Sequence, residues 1–361
     1  MPDFSKNLIK IIAQGIECVR LSYKGHNQNI FQTNQTMDTK MKYRYTRFLF
    51  LITLIYAGTS WATPPLLGQW DLLFANDDGR AVALDVYRET PVILDKEGHI
   101  FFLNMEIGKE STGKWFGEVY ENWQPVSGGG KAMDISIDGD GVPWVVGINS
   151  NKIFHLDSNF ASPNSGWIEY PGNGKARRIS VSKANGSPYI IGARSGHVYG
   201  GDGNAWKGLP VKLLDSKGNE TPEVFNALDL FAESYNAGSS EKPDWYDLVF
   251  IINHDKKIFL YLPEKMAWQE LPGNARASSL VASGKLVYII AEDGKYYGLD
   301  LANDKEWSPA GPGSGKGLAF SQVDTFQPFL KQGGNGIPSS SHRHVWTINE
   351  KGQILRAFVA H

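Results

Sequence analysis

The sequence predicts an all-β fold, a six-bladed β-propeller with four-stranded blades whose ring is closed by the N-terminal strand. Three observations lead there. A tryptophan followed by a Gly- or Pro-rich turn and a small residue recurs six times, at Trp70, Trp123, Trp167, Trp206, Trp268 and Trp307. Runs of β-branched and aromatic residues of strand length follow each one. The mature chain expected from about residue 63 opens on a tryptophan strand and stops after the third strand of its last unit, so the first strand completes the last blade.

In each unit the first strand starts at the small residue: Ala81-Val-Ala-Leu, Ala132-Met-Asp-Ile, Ala176-Arg-Arg-Ile, Ala227-Leu-Asp-Leu, Ala277-Ser-Ser-Leu and Gly317-Leu-Ala-Phe. The second strand reads PVILD at 91, PWVVG at 143, PYIIG at 188, VFIIN at 249, VYIIA at 287 and VWTIN at 345. A short turn leads to the third: GHIFFL, NKIFHL, GHVYGG, KKIFLY, GKYYGL and GQILRA. The tryptophan strand is the fourth. Residues 211–247 and 324–343 are polar insertions rich in Gly, Ser, Asn and Pro, read as surface loops.

Residues 63–361 form this repeat array. Ahead of it, Lys42, Arg44 and Arg47 precede the apolar run Phe48 to Tyr56, and Ser60-Trp61-Ala62 fits a cleavage site, so residues 41–62 read as a signal peptide. That run is about half the ~20 residues of a membrane span, which predicts cleavage and no stable membrane anchor. Residues 1–40 read as an N-terminal extension, with Met41 as the expected start. The single cysteine, Cys18, falls in that extension, so the exported part has no disulfide and must be held by its core. The predicted location is secreted or periplasmic.

The tryptophan, Gly turn, alanine and ISV-like strand, clearest across 123–210, resemble the tectonin repeats of tachylectin-like lectins. The resemblance implies a six-bladed propeller that recognises glycans, bacterial lipopolysaccharide sugars among them. It assigns no contact residue.

Aligning the units turns single residues into columns. Just before the small residue stand Arg80, Lys131, Lys175, Asn226, Arg276 and Lys316, five of six basic. Before the third strand stand His99, Lys152, His197, Lys257, Lys295 and Gln353. Both loop sets lie at the same end of the strands, so the sequence predicts a local basic face on a chain of net charge −2, and an anionic ligand for it. That near-neutral total argues against nucleic acid. The tryptophans and the second-strand column Val92, Trp144, Tyr189, Phe250, Tyr288 and Trp346 read as packing residues.

In SIDGDGVPW, residues 136–144, Asp138, Asp140 and Gly141 read as a tight hairpin turn and not a calcium loop. Ser341-His342-Arg343-His344 reads as decoration of the last insertion. No nucleophile elbow, zinc-protease motif or phosphate-binding loop is present, so no catalytic residue, metal or cofactor is assigned. The resulting expectation is a monomeric, non-catalytic carbohydrate-binding propeller with a surface glycan such as lipopolysaccharide as partner. A protein-interaction scaffold is the alternative, and a sialidase-like or lactonase-like enzyme a third.

Overall fold

A computed structural model describes residues 67–72, 81–87, 90–106, 120–236, 245–311, 317–326, 342–349 and 351–359. The chain divides into Met1–Arg47 and Phe48–His361, and every described element belongs to the second unit. The expected signal peptide, the extension before it, Arg80 and Lys316 lie outside the described residues. Among the described residues no helix is long and apolar enough to cross a membrane.

The fold is an all-β propeller with four-stranded blades. The first sheet runs outward from Ala81–Tyr87 through Thr90–Asp95 and Ile100–Glu106 to Tyr120–Pro125. The second comprises Ala132–Ile137, Pro143–Gly147, Ile153–Leu156 and Trp167–Glu169. The third comprises Ala176–Val181, Pro188–Gly192, Val198–Gly201 and Trp206–Gly208. Ala227–Asn236, Trp245–Asn253, Ile258–Leu262 and Ala267–Glu270 build the fourth, and Ala277–Ser283, Leu286–Ala291, Tyr296–Asp300 and Ser308–Pro309 the fifth. The sixth joins Gly317–Phe326, His342–Asn349 and Ile354–Val359 to Leu67–Leu72, which pairs antiparallel with Ile354–Val359.

Two expectations are corrected here. The fourth sheet has a fifth strand, because Leu213–Leu214 pairs in parallel with Trp268 and Gln269 at its outer edge. Residues 211–247 are therefore not simply a surface loop: they add this strand and lengthen a hairpin in which Asn236 faces Trp245. Likewise Asp324 to Phe326 and His342 to His344 pair across a hairpin, so the histidine pair stands on a strand and not in a loop.

Each inner strand lies against the inner strand of the next sheet, and the sixth lies against the first. Six apolar clusters fill the gaps between neighbouring sheets, that between sixth and first holding Trp346, Ile348 and Ile354 with Ala81, Leu84 and Ile93. Because both faces of a blade are covered, its second strand is apolar throughout: Pro143–Gly147 is buried at all five positions. Val92, Trp144, Phe250, Tyr288 and Trp346 are buried as their column predicts, and Tyr189 is half-buried.

The repeated tryptophan phrase has a packing cause. A Cβ on Gly128 would lie 2.9 Å from the Trp167 ring, one on Gly174 2.4 Å from Trp206, and one on Gly273 2.8 Å from Trp307. Each indole thus lies on the turn that follows the preceding tryptophan, and glycine is what lets the backbone come that close. The small residue has a similar cause. Ala132, Ala176, Ala227 and Ala277 donate their N–H groups to Gly98, Asn151, Gly196 and Lys256 in the hairpin of the preceding sheet, at 2.7–3.0 Å, and are almost fully buried there.

Candidate functional site

Those four hydrogen bonds fix where the candidate cations stand. The residue before each alanine is held through its own carbonyl, which accepts from Ile148 at Lys131, from Ala193 at Lys175, from His254 at Asn226 and from Glu292 at Arg276. Lys152 bridges to Lys175 and Lys257 to Arg276, so the two predicted loop sets do meet on one face.

Their charges are unequal. Lys152 Nζ donates to Glu169 at 2.8 Å, and Lys257 Nζ reaches Glu223 and also Glu270 at 3.4 Å. The Glu223 hydrogen bond raises the Lys257 pKa. Lys295 faces Asp293 at 3.5 Å, and His99 Nδ1 lies 3.0 Å from the Asp95 carboxylate. His197 packs edge-on against Phe225, ring centroids 5.9 Å apart. The Arg276 guanidinium donates to the Asp255 carbonyl. Lys131 and Lys175 are exposed, with no carboxylate within 4.0 Å among the described residues.

The column before the third strand exists because of its turns. Asp95 Oδ1 accepts the His99 N–H at 2.7 Å, Asn253 Oδ1 that of Lys257 at 2.9 Å, and Asn349 Oδ1 that of Gln353 at 2.9 Å. Ser150, Ser195 and Asp293 capture the corresponding N–H groups of Lys152, His197 and Lys295 at 3.0–3.2 Å. Side-chain capture of this kind defines Asx and Ser turns. Asp138 plays the same part in the SIDGDGVPW hairpin, accepting from Asp140 and Val142 at 3.0 and 2.9 Å and from the Trp144 indole at 3.2 Å. Asp95, Glu97 and His99 lie close enough to hold a metal ion, but Asp95 is already taken up by two backbone N–H groups and the His99 ring.

Sequence reasoning missed the channel. Register shifts mark a β-bulge at the same point of all six inner strands, between Ala132 and Asp134, Ala176 and Arg178, Ala227 and Asp229, and their equivalents. The inner strand is an edge, and its N–H groups are captured by the preceding sheet. Asp85 Oδ2 accepts from Ile137 and Asp134 Oδ2 from Ile179, both at 2.7 Å, while Ser136 accepts from Val181 at 3.0 Å and Ser180 from Ala232 at 2.8 Å. A cavity of about 400 Å³ lies among these strands.

Three charged side chains just past the bulge line it. Arg178 stands between Asp134, with 4.0 Å from Nη1 to Oδ1, and Asp229, with 3.5 Å from Nε to Oδ1. Burial raises the Asp134 pKa to about 7 against the pull of Arg178. Burial raises Asp229 as well, and Asp134 chiefly raises Arg178. The available signal was the third residue of each first strand, where Asp134, Arg178, Asp229 and Ser279 follow Ala83.

No protein-family model and no curated protein matches the chain. Among solved structures, a structural-genomics protein of unknown function from Bacteroides thetaiotaomicron is 7% identical over 82% of this chain and 73% of its own, with a TM-score of 0.49. A chain of a nidogen/laminin complex is 10% identical over 73% of this chain and 87% of its own, at 0.43. YCF48 bound to a D1 peptide is 13% identical over 81% of each chain, at 0.42. The propeller assignment rests on the strand order within this chain.

Proposed function

We propose that the chain is an exported, non-catalytic binding propeller of six blades closed by its N-terminal strand, which engages an anionic cell-surface glycan in the manner of the tectonin lectins it resembles. A propeller fold suits a binding scaffold. The observation that carries the glycan reading is the meeting of two loop sets on one face, with the Lys131 and Lys175 ammonium groups exposed there at successive blade junctions.

Carboxylates offset Lys152, Lys257 and Lys295, which narrows the contact set to Lys131, Lys175 and Arg276. Each exposed charge contributes only ~0.2–1 kcal/mol, so binding draws on several contacts or on multivalent display. The test is a glycan array probed with the exported protein, with and without calcium and at two salt concentrations. Salt-sensitive signals from phosphorylated or acidic glycans, lost in Lys131→Ser/Lys175→Ser/Arg276→Ser, support the reading. Signals that ignore both salt and these substitutions overturn it.

A protein partner is the second reading. It is favoured by exposed apolar side chains in the insertion that carries the added strand, Val224 at 82% and Val211 at 48% relative exposure. A silent array together with a specific protein captured at this edge, lost on Val224→Ser, selects it.

A further inference from the structure

The six hairpins between second and third strands share a residue with left-handed backbone. Five of these residues are Gly98, Asn151, Gly196, Gly294 and Gly352, with φ between 55° and 83°. The sixth is Lys256, at φ 64°. Glycine adopts this conformation freely and asparagine tolerates it, whereas for a lysine it costs about 1 kcal/mol or more. Lys256 also lines the cavity, and among the described residues no carboxylate lies within 4.0 Å of its ammonium. A residue that the turn disfavours thus lines the cavity, with its ammonium acting on Asp229 at longer range than an ion pair.

Around it the walls carry opposed charges. Asp134 and Asp229 face Arg178 at separations longer than a hydrogen bond, and each carboxylate also accepts a backbone N–H, from Ile179 and from Leu230. Asp85 lines the cavity too but is paired with Lys183 at 3.4 Å, so with Lys256 the remaining set is two anions and two cations, electroneutral in sum. A net cation or a net anion would meet a like charge at either end. A molecule carrying both signs would find a partner for each. The cavity of about 400 Å³ falls at the small end of the range for small-molecule sites.

We propose that the cavity binds a small zwitterion of amino-acid size, its carboxylate on Lys256 and Arg178 and its ammonium on Asp134 and Asp229. This site touches the loop tips only at Lys256, which neighbours Lys257 and lies in the hairpin that Arg276 bridges; Asp134, Arg178 and Asp229 lie on the inner strands, so Asp134→Asn is the variant that separates this site from the glycan reading. The high pKa of Asp134 gives the site a pH signature. The charged groups that line the cavity with Asp134 are Arg178 from the third inner strand, Asp229 from the fourth, Lys256 from the fourth hairpin and Asp85 from the first. An incoming ammonium favours the ionised carboxylate. Affinity is therefore full above pH 7 and falls as pH drops below it, approaching tenfold per pH unit.

The test is calorimetric titration of the purified chain with four six-carbon polyols that differ only in charge. These are 2-amino-2-deoxygluconate as the zwitterion, 2-amino-2-deoxysorbitol as the cation, gluconate as the anion and neutral sorbitol. The zwitterion should bind at least about tenfold more tightly than the others, one ion contact's worth of affinity. Lys256→Gly restores the residue found in four of the sister hairpins and so keeps the fold. It should abolish the preference for the zwitterion over 2-amino-2-deoxysorbitol. Asp134→Asn should abolish the preference over gluconate and flatten the pH dependence, with far-UV circular dichroism reporting that the blades persist. Equal binding of all four compounds, tightest binding of a singly charged one, no binding at millimolar concentration, or an unchanged profile in Lys256→Gly would each overturn the proposal. Loss of channel binding with the array signals intact sinks this site alone. The converse sinks only the glycan reading.

Discussion

The third and fourth sheets start from the same phrase and treat its tryptophan differently. Trp206 is half-buried on Gly172 and Gly174, and its indole N–H, although shielded, has no hydrogen-bond partner among the described residues. Trp268 is fully buried: its N–H donates to the Pro210 carbonyl at 2.7 Å, and its ring sits between Phe225 and Tyr261 at 5.5 and 5.1 Å. The additional cover comes from the insertion, whose Leu213–Leu214 strand pairs beside Trp268 and whose Phe225 packs on it. A buried donor left unpaired costs about 1–3 kcal/mol, so Pro210 removes a penalty that the third sheet retains. The stretch that looks like a polar interruption therefore makes the fourth blade better sealed than its neighbour.

The sharpest way to break this comparison is a matched pair of substitutions. Trp268→Ala should cost about 3–5 kcal/mol in urea unfolding, as for a fully buried aromatic, and Trp206→Ala about half of that. Equal losses would mean that the added strand contributes nothing. Next, Gly174→Ala drives a methyl into the Trp206 ring and should cost about 1–3 kcal/mol by overpacking. Gly203→Ala meets nothing within 4 Å and suffers only the penalty of its left-handed backbone, about 1 kcal/mol. If the two glycines behave alike, close approach is not what the tryptophan phrase preserves.

A smaller effect separates the channel from the blades. The Asp134 pKa of about 7 lies above the unfolded carboxylate value of ~3.9. The native state thus holds the extra proton between these values, and its contribution to stability is largest at low pH and is lost as pH rises toward 7. Asp134→Asn should remove that slope, leaving the difference in unfolding free energy between pH 5 and pH 8 smaller than in the parent by about 1 kcal/mol or more. A variant whose pH dependence matches the parent's would show that the carboxyl titrates normally. The least effect is expected at Lys152→Ser, whose exposed pair with Glu169 should be worth under about 0.5 kcal/mol in thermal unfolding.

Much of the fold was legible because its signals are local. Strand boundaries followed the Pro, Gly, Asn and Asp turns, and the burial of Val92, Trp144, Phe250, Tyr288 and Trp346 followed from their column. The shared face of the two loop sets was legible too, since hairpin connectivity dictates it. Polar composition misled at 211–247, where Leu213 and Leu214 are too short a run to read as a strand and acquire that state only by pairing with Trp268. The site was less legible. Lys152, Lys257 and Lys295 count as positive charges in a sequence, but their neutralisation by Glu169, Glu223 and Asp293 depends on which carboxylate each hairpin brings near.

The sequence by itself determined the all-β class, the four-strand unit and the spacing of tryptophan, glycine and alanine, because each expresses a short-range requirement: strand periodicity, turn conformation, or room for an indole. Only the tertiary structure decided what the third position of each first strand does. Asp134, Arg178 and Asp229 are 44 and 51 residues apart along the chain, and no local pattern links them. A bulge repeated in every inner strand brings them to one cavity, and burial there, not residue identity, sets the Asp134 pKa near 7.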